Sequence, residues 1–302
     1  MARLDYGTGH PVSLTPPLTA PCNPAVRSRT ADGSVGHAKT RHQTLFLSDM
    51  HLGARASRPD LILRFLEENE AETIFLVGDI ADNWHPLTRN WTEAHHRVLR
   101  HILSRAQDRT RVVYIPGNHD AFFRQYAGTT FSGIEVRLEA THRAADGRSY
   151  LVVHGDCADV FARRAPVLAR LGSLIETAAH GLDEAQRRAT RRIRKSDWTG
   201  IERLIGTTNA MIRKHDRFEE RLAYLAESRG FDGVICGHFH QAALHRDHGV
   251  VYANCGDWVG SNTALAEGFD GRMTLLTISG TKDAATIDRG CGKVEGELTL
   301  AV

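Results

Sequence analysis

The sequence predicts an α/β layered domain with helices outside one or two sheets. Three observations carry that expectation. From Thr44 onward, short β-branched and apolar runs recur, each run ends in a polar cluster, and helical spacing of apolar residues follows. Strands are expected at Thr44 to Leu47, Thr73 to Val77, Arg111 to Ile115, Tyr150 to Val153, Gly233 to Cys236, Val250 to Tyr252 and Met273 to Ile278. Between them, Leu61, Ile62, Phe65 and Leu66 mark one amphipathic helix face. Ala94, Val98, Leu99, Ile102 and Leu103 mark a second, and Phe218, Leu222 and Leu225 a third.

The flanks and the middle read differently. Residues 1–41 are rich in Pro, Gly, Ser, Thr and Arg without apolar periodicity, which predicts a disordered extension before a catalytic domain at 42–285 and a tail at 286–302. Between about 157 and 215 no strand is expected. Val160, Phe161, Val167, Leu168, Leu171, Leu174 and Ile175 recur at three- and four-residue steps, followed by Arg187, Arg188, Arg191, Arg192, Arg194 and Lys195. That stretch predicts a helical insertion, either a lid or a self-packed subdomain.

Bulk properties narrow the function. With 302 residues and 41% hydrophobic content the chain can bury one core, or a core plus a lobe. A net charge of +2 gives no support to a general nucleic-acid-coating role. The five cysteines are scattered with no C-x-x-C pair, so neither a disulfide framework nor a thiolate zinc site is expected, and a reducing cytoplasm fits. No apolar run approaches the roughly 18 residues of a membrane span, and Met1 to Lys39 lacks a signal peptide's apolar centre. A soluble or peripherally attached protein is the expectation.

Each strand's carboxyl end meets residues of ligand type: Asp49-Met50-His51, Gly78-Asp79, Gly117-Asn118-His119-Asp120, His154-Gly155-Asp156 and Gly237-His238-Phe239-His240. Open α/β sheets place their sites there, because loops leaving neighbouring strands converge. A lone D-x-H, G-D or H-G-D is commonplace. Asn with His after an apolar run is more specific, and His238 and His240, two apart in an extended segment, can approach one metal cluster. Carboxylate, amide oxygen and imidazole without thiolate suit two divalent ions, Mn2+ first, with Mg2+, Fe2+ or Zn2+ also compatible. Asp79 is the candidate carboxylate to bridge them. His119 has the pKa range to protonate a leaving oxygen or stabilise the transition state. Asp120 could orient that imidazole or serve as a structural cap, and Asn118 belongs to both the catalytic and the ligand sets.

With these residues the sequence resembles the calcineurin-like metallophosphoesterase superfamily, whose ordered signature D-x-H, G-D, G-N-H-[DE], H and G-H-x-H lies between Asp49 and His240. The resemblance implies a four-layer αββα sandwich. It also implies that Asp49, His51, Asp79 and His240 hold one ion and Asp79, Asn118, His154 and His238 the other, with His119 in the acid or transition-state role. Within the superfamily the chain looks most like the UDP-2,3-diacylglucosamine pyrophosphatase group of lipid A synthesis. Gly78-Asp79-Ile80-Ala81-Asp82-Asn83-Trp84, His154-Gly155-Asp156, the insertion and Asn254-Cys255-Gly256-Asp257-Trp258-Val259 carry that likeness. Best-known members of that group carry Arg where this chain has His119.

The implied reaction is water attack on a UDP-sugar lipid, giving UMP and a diacylglucosamine 1-phosphate. Trp84 and Trp258 could stack on base or sugar, or anchor the core. Arg124, Arg191, Arg194 and Lys195 are the expected phosphate contacts, with peripheral association at the cytoplasmic face of the inner membrane as a corollary. A cyclic-nucleotide or other nucleotide phosphodiesterase is the first rival, and a metal-free scaffold the second. No nucleic-acid partner is expected. His95, His96, His101, His180, His215, His245 and His248 fit no ligand pattern, and Arg246-Asp247 reads as a hairpin turn.

Overall fold

Branched and aromatic residues set the strands against which the rest of the molecule is laid. The computed structural model describes residues 39–83, 90–159 and 217–278. Among them the order is β1 (Thr40–Leu47), α1 (Pro59–Glu68), β2 (Asn69–Val77), α2 (Glu93–Gln107), β3 (Arg111–Ile115), β4 (Thr130–Phe131), β5 (Ile134–Val136), β6 (Ala140–Arg143), β7 (Ser149–Val152), α3 (Phe218–Ser228), β8 (Gly233–Cys236), β9 (Ala243–His248), β10 (Val250–Asn254), β11 (Thr263–Glu267) and β12 (Met273–Thr277). Two short 3₁₀ segments, Ala121–Tyr126 and Asp156–Ala158, follow β3 and β7.

The strands form a seven-stranded sheet, β12-β11-β1-β2-β3-β5-β4, and a five-stranded sheet, β6-β7-β8-β10-β9. In the first, β1, β2, β3 and β5 run parallel, with α1 and α2 as the crossovers from β1 to β2 and β2 to β3. Pro59 opens α1, where a missing N–H costs nothing. Its apolar stripe, Leu61, Ile62, Phe65 and Leu66, packs with Val98 and Ile102 of α2 onto Leu45, Ile74 and Val112. Asn69 stops the helix by going extended while its amide bonds the Phe65 carbonyl at 2.8 Å. α3 covers the second sheet, with Phe218 and Leu222 on Leu151, Val234 and Tyr252. Phe46, Phe75, Val113, Tyr150, Val152 and Ile235 fill the space between the sheets. Helices, sheet, sheet and helix thus stack as the expected αββα sandwich.

Several boundaries differ from the sequence reading. β1 begins at Thr40, inside the expected extension, and β2 begins at Asn69 because Thr40 to His42 pair with Asn69 to Ala71. Their outward charges, among them the Lys39–Glu70 pair at 2.6 Å, hide the strand signal. Strands β4, β5, β6, β9 and β11 were not expected. β11, Thr-Ala-Leu-Ala-Glu, is buried at every position yet has little β-branched character. Arg246-Asp247 is no turn: both residues lie in β9, and the chain reverses at Gly249, whose φ is 86°. The expected extension through residue 38, the insertion beyond residue 159, the tail at 286–302 and the Arg187 to Lys195 cluster lie outside the described residues.

A buried polar pair joins β6 of one sheet to β11 of the other. His142 Nε2 of β6 lies 2.8 Å from Glu267 Oε2 of β11, and the imidazole sits edge-on to Phe46 and Phe75, ring centroids 5.1 and 5.7 Å away. Burial alone would raise the Glu267 pKa. Bonds from His142, the Ala145 N–H and Thr44 outweigh it, so the carboxyl titrates below the usual glutamate value.

A depressed folded pKa contributes stability above the unfolded value of about 4.3 and loses it as pH falls through the folded value. His142→Ala, which strips Glu267 of one buried donor, is expected to cost roughly 2–3 kcal/mol in urea unfolding at pH 7. The variant should also lose less stability than the parent as the pH drops below about 4.3. Identical unfolding curves would contradict this role for the pair.

Candidate metal centre

All five sequence motifs occupy the turns that leave β1, β2, β3, β7 and β8 at their carboxyl ends. The chain bends there through backbone that ordinary side chains avoid. Asp49, His51, Asp79, His238 and His240 have φ values of 51°, 45°, 53°, 75° and 55°. Each such residue costs on the order of 1–3 kcal/mol, which a fold tolerates where surrounding bonds over-determine it. Those bonds are present: Asp49 N–H to Gly78 O at 3.0 Å, His51 N–H to Asp79 O at 2.9 Å, and Gly237 N–H to His154 O at 3.0 Å. The motif glycines clear the space. A Cβ on Gly78 would collide with the His154 ring, on Gly117 with Asp79 Oδ1, and on Gly237 with Asp49 Oδ2.

Two bonds cross between the sheets at this end. His238 N–H donates to Asp49 Oδ2 at 3.0 Å, and His154 Nδ1 lies 3.0 Å from the Val77 carbonyl. That carbonyl can only accept, so His154 Nδ1 carries a proton and Nε2 points inward, where it offers a lone pair to an ion whenever the ring is neutral. Nε2 then faces Asn118 Oδ1 at 3.1 Å and Asp79 Oδ2 at 3.4 Å. On the other flank, His51 Nε2 and His240 Nε2 are 3.1 Å apart, with Asp49 Oδ1 at 3.8 and 3.2 Å from them.

Electron pairs aimed at one another in a buried site demand positive charge. Part of that demand appears in the titration: burial would lower the His154 pKa, but Asp79 and Asp49 hold it well above the usual value. Burial likewise would raise Asp79, and His154, His119 and His51 draw it down instead. A divalent ion answers the same demand without extra protons. Donor separations of 3.1–3.4 Å match the roughly 3.0–3.4 Å edges of coordination shells with bonds of about 2.1 Å.

Among the described residues, three sets have their ligand atoms within 4.8 Å of one another: Asp49, His51 and His240; Asp79, His154 and His238; and His51, Asp79 and His119. Asp79 belongs to two of them, as a bridging carboxylate would. His238 Nδ1 is buried and has no hydrogen-bond partner, the signature of an atom kept for an ion. The residues therefore fit two divalent ions. All seven expected ligands converge on the seam between the sheets.

Other expectations divide. Asp120 does not hold the His119 ring. Its carboxylate receives the N–H groups of Gly117 at 2.6 Å, Ile80 at 2.7 Å, and Asp79 and Ala81 at 3.3 Å, tying the β2 and β3 turns together. Asp82 takes the orienting place, with Oδ1 3.2 Å from His119 Nδ1. Burial lowers the His119 pKa more than Asp82 and Asp79 raise it. Trp258 is fully buried against Phe65, centroids 5.2 Å apart, which makes it a core anchor, and its backbone N–H bonds the Asp49 carbonyl at 3.1 Å. Its neighbours brace other turns, Asn254 through Gly237 O at 2.9 Å and Gly256 O through Ser48 Oγ at 2.9 Å. Arg124 bonds Pro116 O at 3.2 Å and Asp156 at 2.8 Å, linking the β3 and β7 turns at the border of the site. Trp84, Arg191, Arg194 and Lys195 lie outside the described residues.

The calcineurin-like phosphoesterase family model matches residues 42–242. UDP-2,3-diacylglucosamine hydrolase of Porphyromonas gingivalis is 25% identical over 123 residues, 38% of this chain, and the match spans about half (47%) of that relative. Wild-type Vps29 of Entamoeba histolytica complexed with zinc is similar at 15% identity and a TM-score of 0.39, covering 80% of this chain and 94% of that one. An archaeal phosphodiesterase is similar at 11% identity and a TM-score of 0.38, covering 78% and 99%. Nuclease MPE of Pseudomonas putida is 24% identical at a TM-score of 0.22 over 32% of this chain and 47% of its own.

A shared carboxylate makes a sharp expectation. Asp79→Ala should lose most of both bound ions in metal analysis of purified protein, whereas a change confined to one flank, His240→Ala, should lose about half. Equal metal content in Asp79→Ala and parent would contradict the shared role.

Proposed function

The chain belongs to the calcineurin-like phosphoesterase family, and on that premise we propose that it uses two divalent ions to hydrolyse the pyrophosphate of a UDP-linked diacylglucosamine. The observation that carries the hydrolytic part is the double membership of Asp79 in two ligand groups beside the His119–Asp82 pair. Asp49, His51, Asp79 and His240 would hold one ion, and Asp79, Asn118, His154 and His238 the other. When bound, the ions supply an acidified water and offset charge on the phosphoryl oxygens. Oxygen and imidazole donors without thiolate are compatible with Mn2+, Mg2+, Fe2+ or Zn2+, and Mn2+ is taken as the working ion.

The chain's own groups do the rest. Asp82 fixes His119 through Nδ1, which turns the opposite ring nitrogen toward the site; there the imidazolium form would give its proton to a leaving oxygen, or the ring would stabilise the transition state. Asp120 supports this indirectly by locking the turn that carries Asn118 and His119. Arg124, partly exposed at the border, offers a cation that a phosphate could share with Asp156.

The substrate assignment is supported by the 25% identity with the Porphyromonas gingivalis hydrolase and by the motif Gly78 to Trp84. An acylated substrate would bring the protein to the cytoplasmic face of the inner membrane as a peripheral partner. Among the described residues no helix is long and apolar enough to cross a membrane. One observation favours the rival reading, a cyclic-nucleotide or other nucleotide phosphodiesterase. His119 with its Asp82 partner is the general superfamily form rather than the arginine of the pyrophosphatase group.

Turnover with Mn2+ on UDP-diacylglucosamine, unacylated UDP-sugars and cyclic nucleotides separates these readings. The proposal expects the acylated substrate to be preferred, with His119→Ala retaining metal but losing roughly 10²–10⁴ in rate. No advantage for the acylated substrate would refute the lipid assignment, and no hydrolysis of any of the three would refute the function.

A further inference from the structure

Resting on the dinuclear reading above, we propose that Asp159 is a positioning residue: it fixes the ring of His238 and thereby sets the affinity of the ion held by Asp79, His154 and His238. Asp159 Oδ2 lies 2.9 Å from His238 Nε2, and both side chains are buried, 10% and 8% exposed. A carboxylate here can only accept, so Nε2 carries the proton. The lone pair then resides on Nδ1, the buried atom with no hydrogen-bond partner. Carboxylate, imidazole and ion in line is the arrangement that fixes tautomer and ring orientation and raises ligand basicity. The ring is also gripped by its neighbours. Phe218 lies 6.0 Å away, Phe239 5.1 Å and His154 5.2 Å, centroid to centroid.

The placement of Asp159 gives the contact a second consequence. It ends the short 3₁₀ turn Asp156–Ala158, and the Ala158 carbonyl receives Arg221 Nε of α3 at 2.7 Å. Residues on the two sides of segment 160–216 thus meet at one candidate ligand: Asp159 bonds His238, Phe218 packs against its ring, and Arg221 ties α3 to the turn that carries Asp159. Displacement of Asp159 or Phe218 is therefore expected to act first on the ion that His238 helps to hold.

The test uses the full chain, stripped of metal and titrated with Mn2+ by calorimetry, with electron paramagnetic resonance reporting spin coupling between paired ions. The parent should take up two equivalents and show the coupled signal. Asp159→Asn should weaken one equivalent by roughly 10–100-fold, lose the coupled signal at Mn2+ concentrations that saturate the parent, and leave the other equivalent within a few-fold. Asp159→Glu, which restores a carboxylate, should recover part of the lost affinity, and it carries the test if the Asn variant does not fold. Unchanged binding, or equal weakening of both equivalents, overturns the proposal. A parent chain that takes up no second equivalent overturns instead the dinuclear reading on which it rests.

Discussion

Buried aspartates and imidazoles that point at one another are the constraint around which this molecule is arranged. Asp49 and Asp79 are fully or almost fully buried, and His51, His154 and His238 bring nitrogen lone pairs into the same small volume. Left alone, such a group must take up protons, as the raised His154 pKa records; given divalent ions, the same atoms become a coordination shell. Five of the residues involved sit in left-handed backbone. That strain persists because hydrogen bonds between turns leave the backbone no alternative.

The fold explains why the turns can be held so tightly. All five loops leave parallel strands that lie side by side within their sheets, and the two sheets face each other across a packed apolar layer. Donors therefore come from both sheets, joined by His238 N–H on Asp49 and His154 on Val77. The Glu267–His142 contact anchors the sheets to each other elsewhere in the same layer. Behind the ligands stands a set of buried carboxylates with no place in the ligand list: Asp82 on His119, Asp159 on His238 and Asp120 on four backbone N–H groups. Ligand orientation is thus determined one step away from the ligands themselves.

Much of this was legible in the sequence, and what was missed has physical reasons. The strands of the parallel core announced themselves through runs such as Val112 to Ile115, and the five motifs could be placed at strand ends before any coordinates. Edge and short strands were silent. β9, Ala-Leu-His-Arg-Asp-His, is largely polar because it closes the sheet at its border, and β11 hides a buried glutamate whose partner lies 125 residues away. Trp258 reads equally as a stacking group or a core anchor; only packing on Phe65 decides it. Asp159 gave no signal, since a lone aspartate acquires its role from a histidine 79 residues later in the chain.

The most direct measurement is anomalous scattering from crystals grown with Mn2+. The account predicts two peaks, about 3.5–4 Å apart, one on each side of the Asp79 carboxylate. A well-folded chain with a single peak, or with its ions away from Asp79, would contradict it.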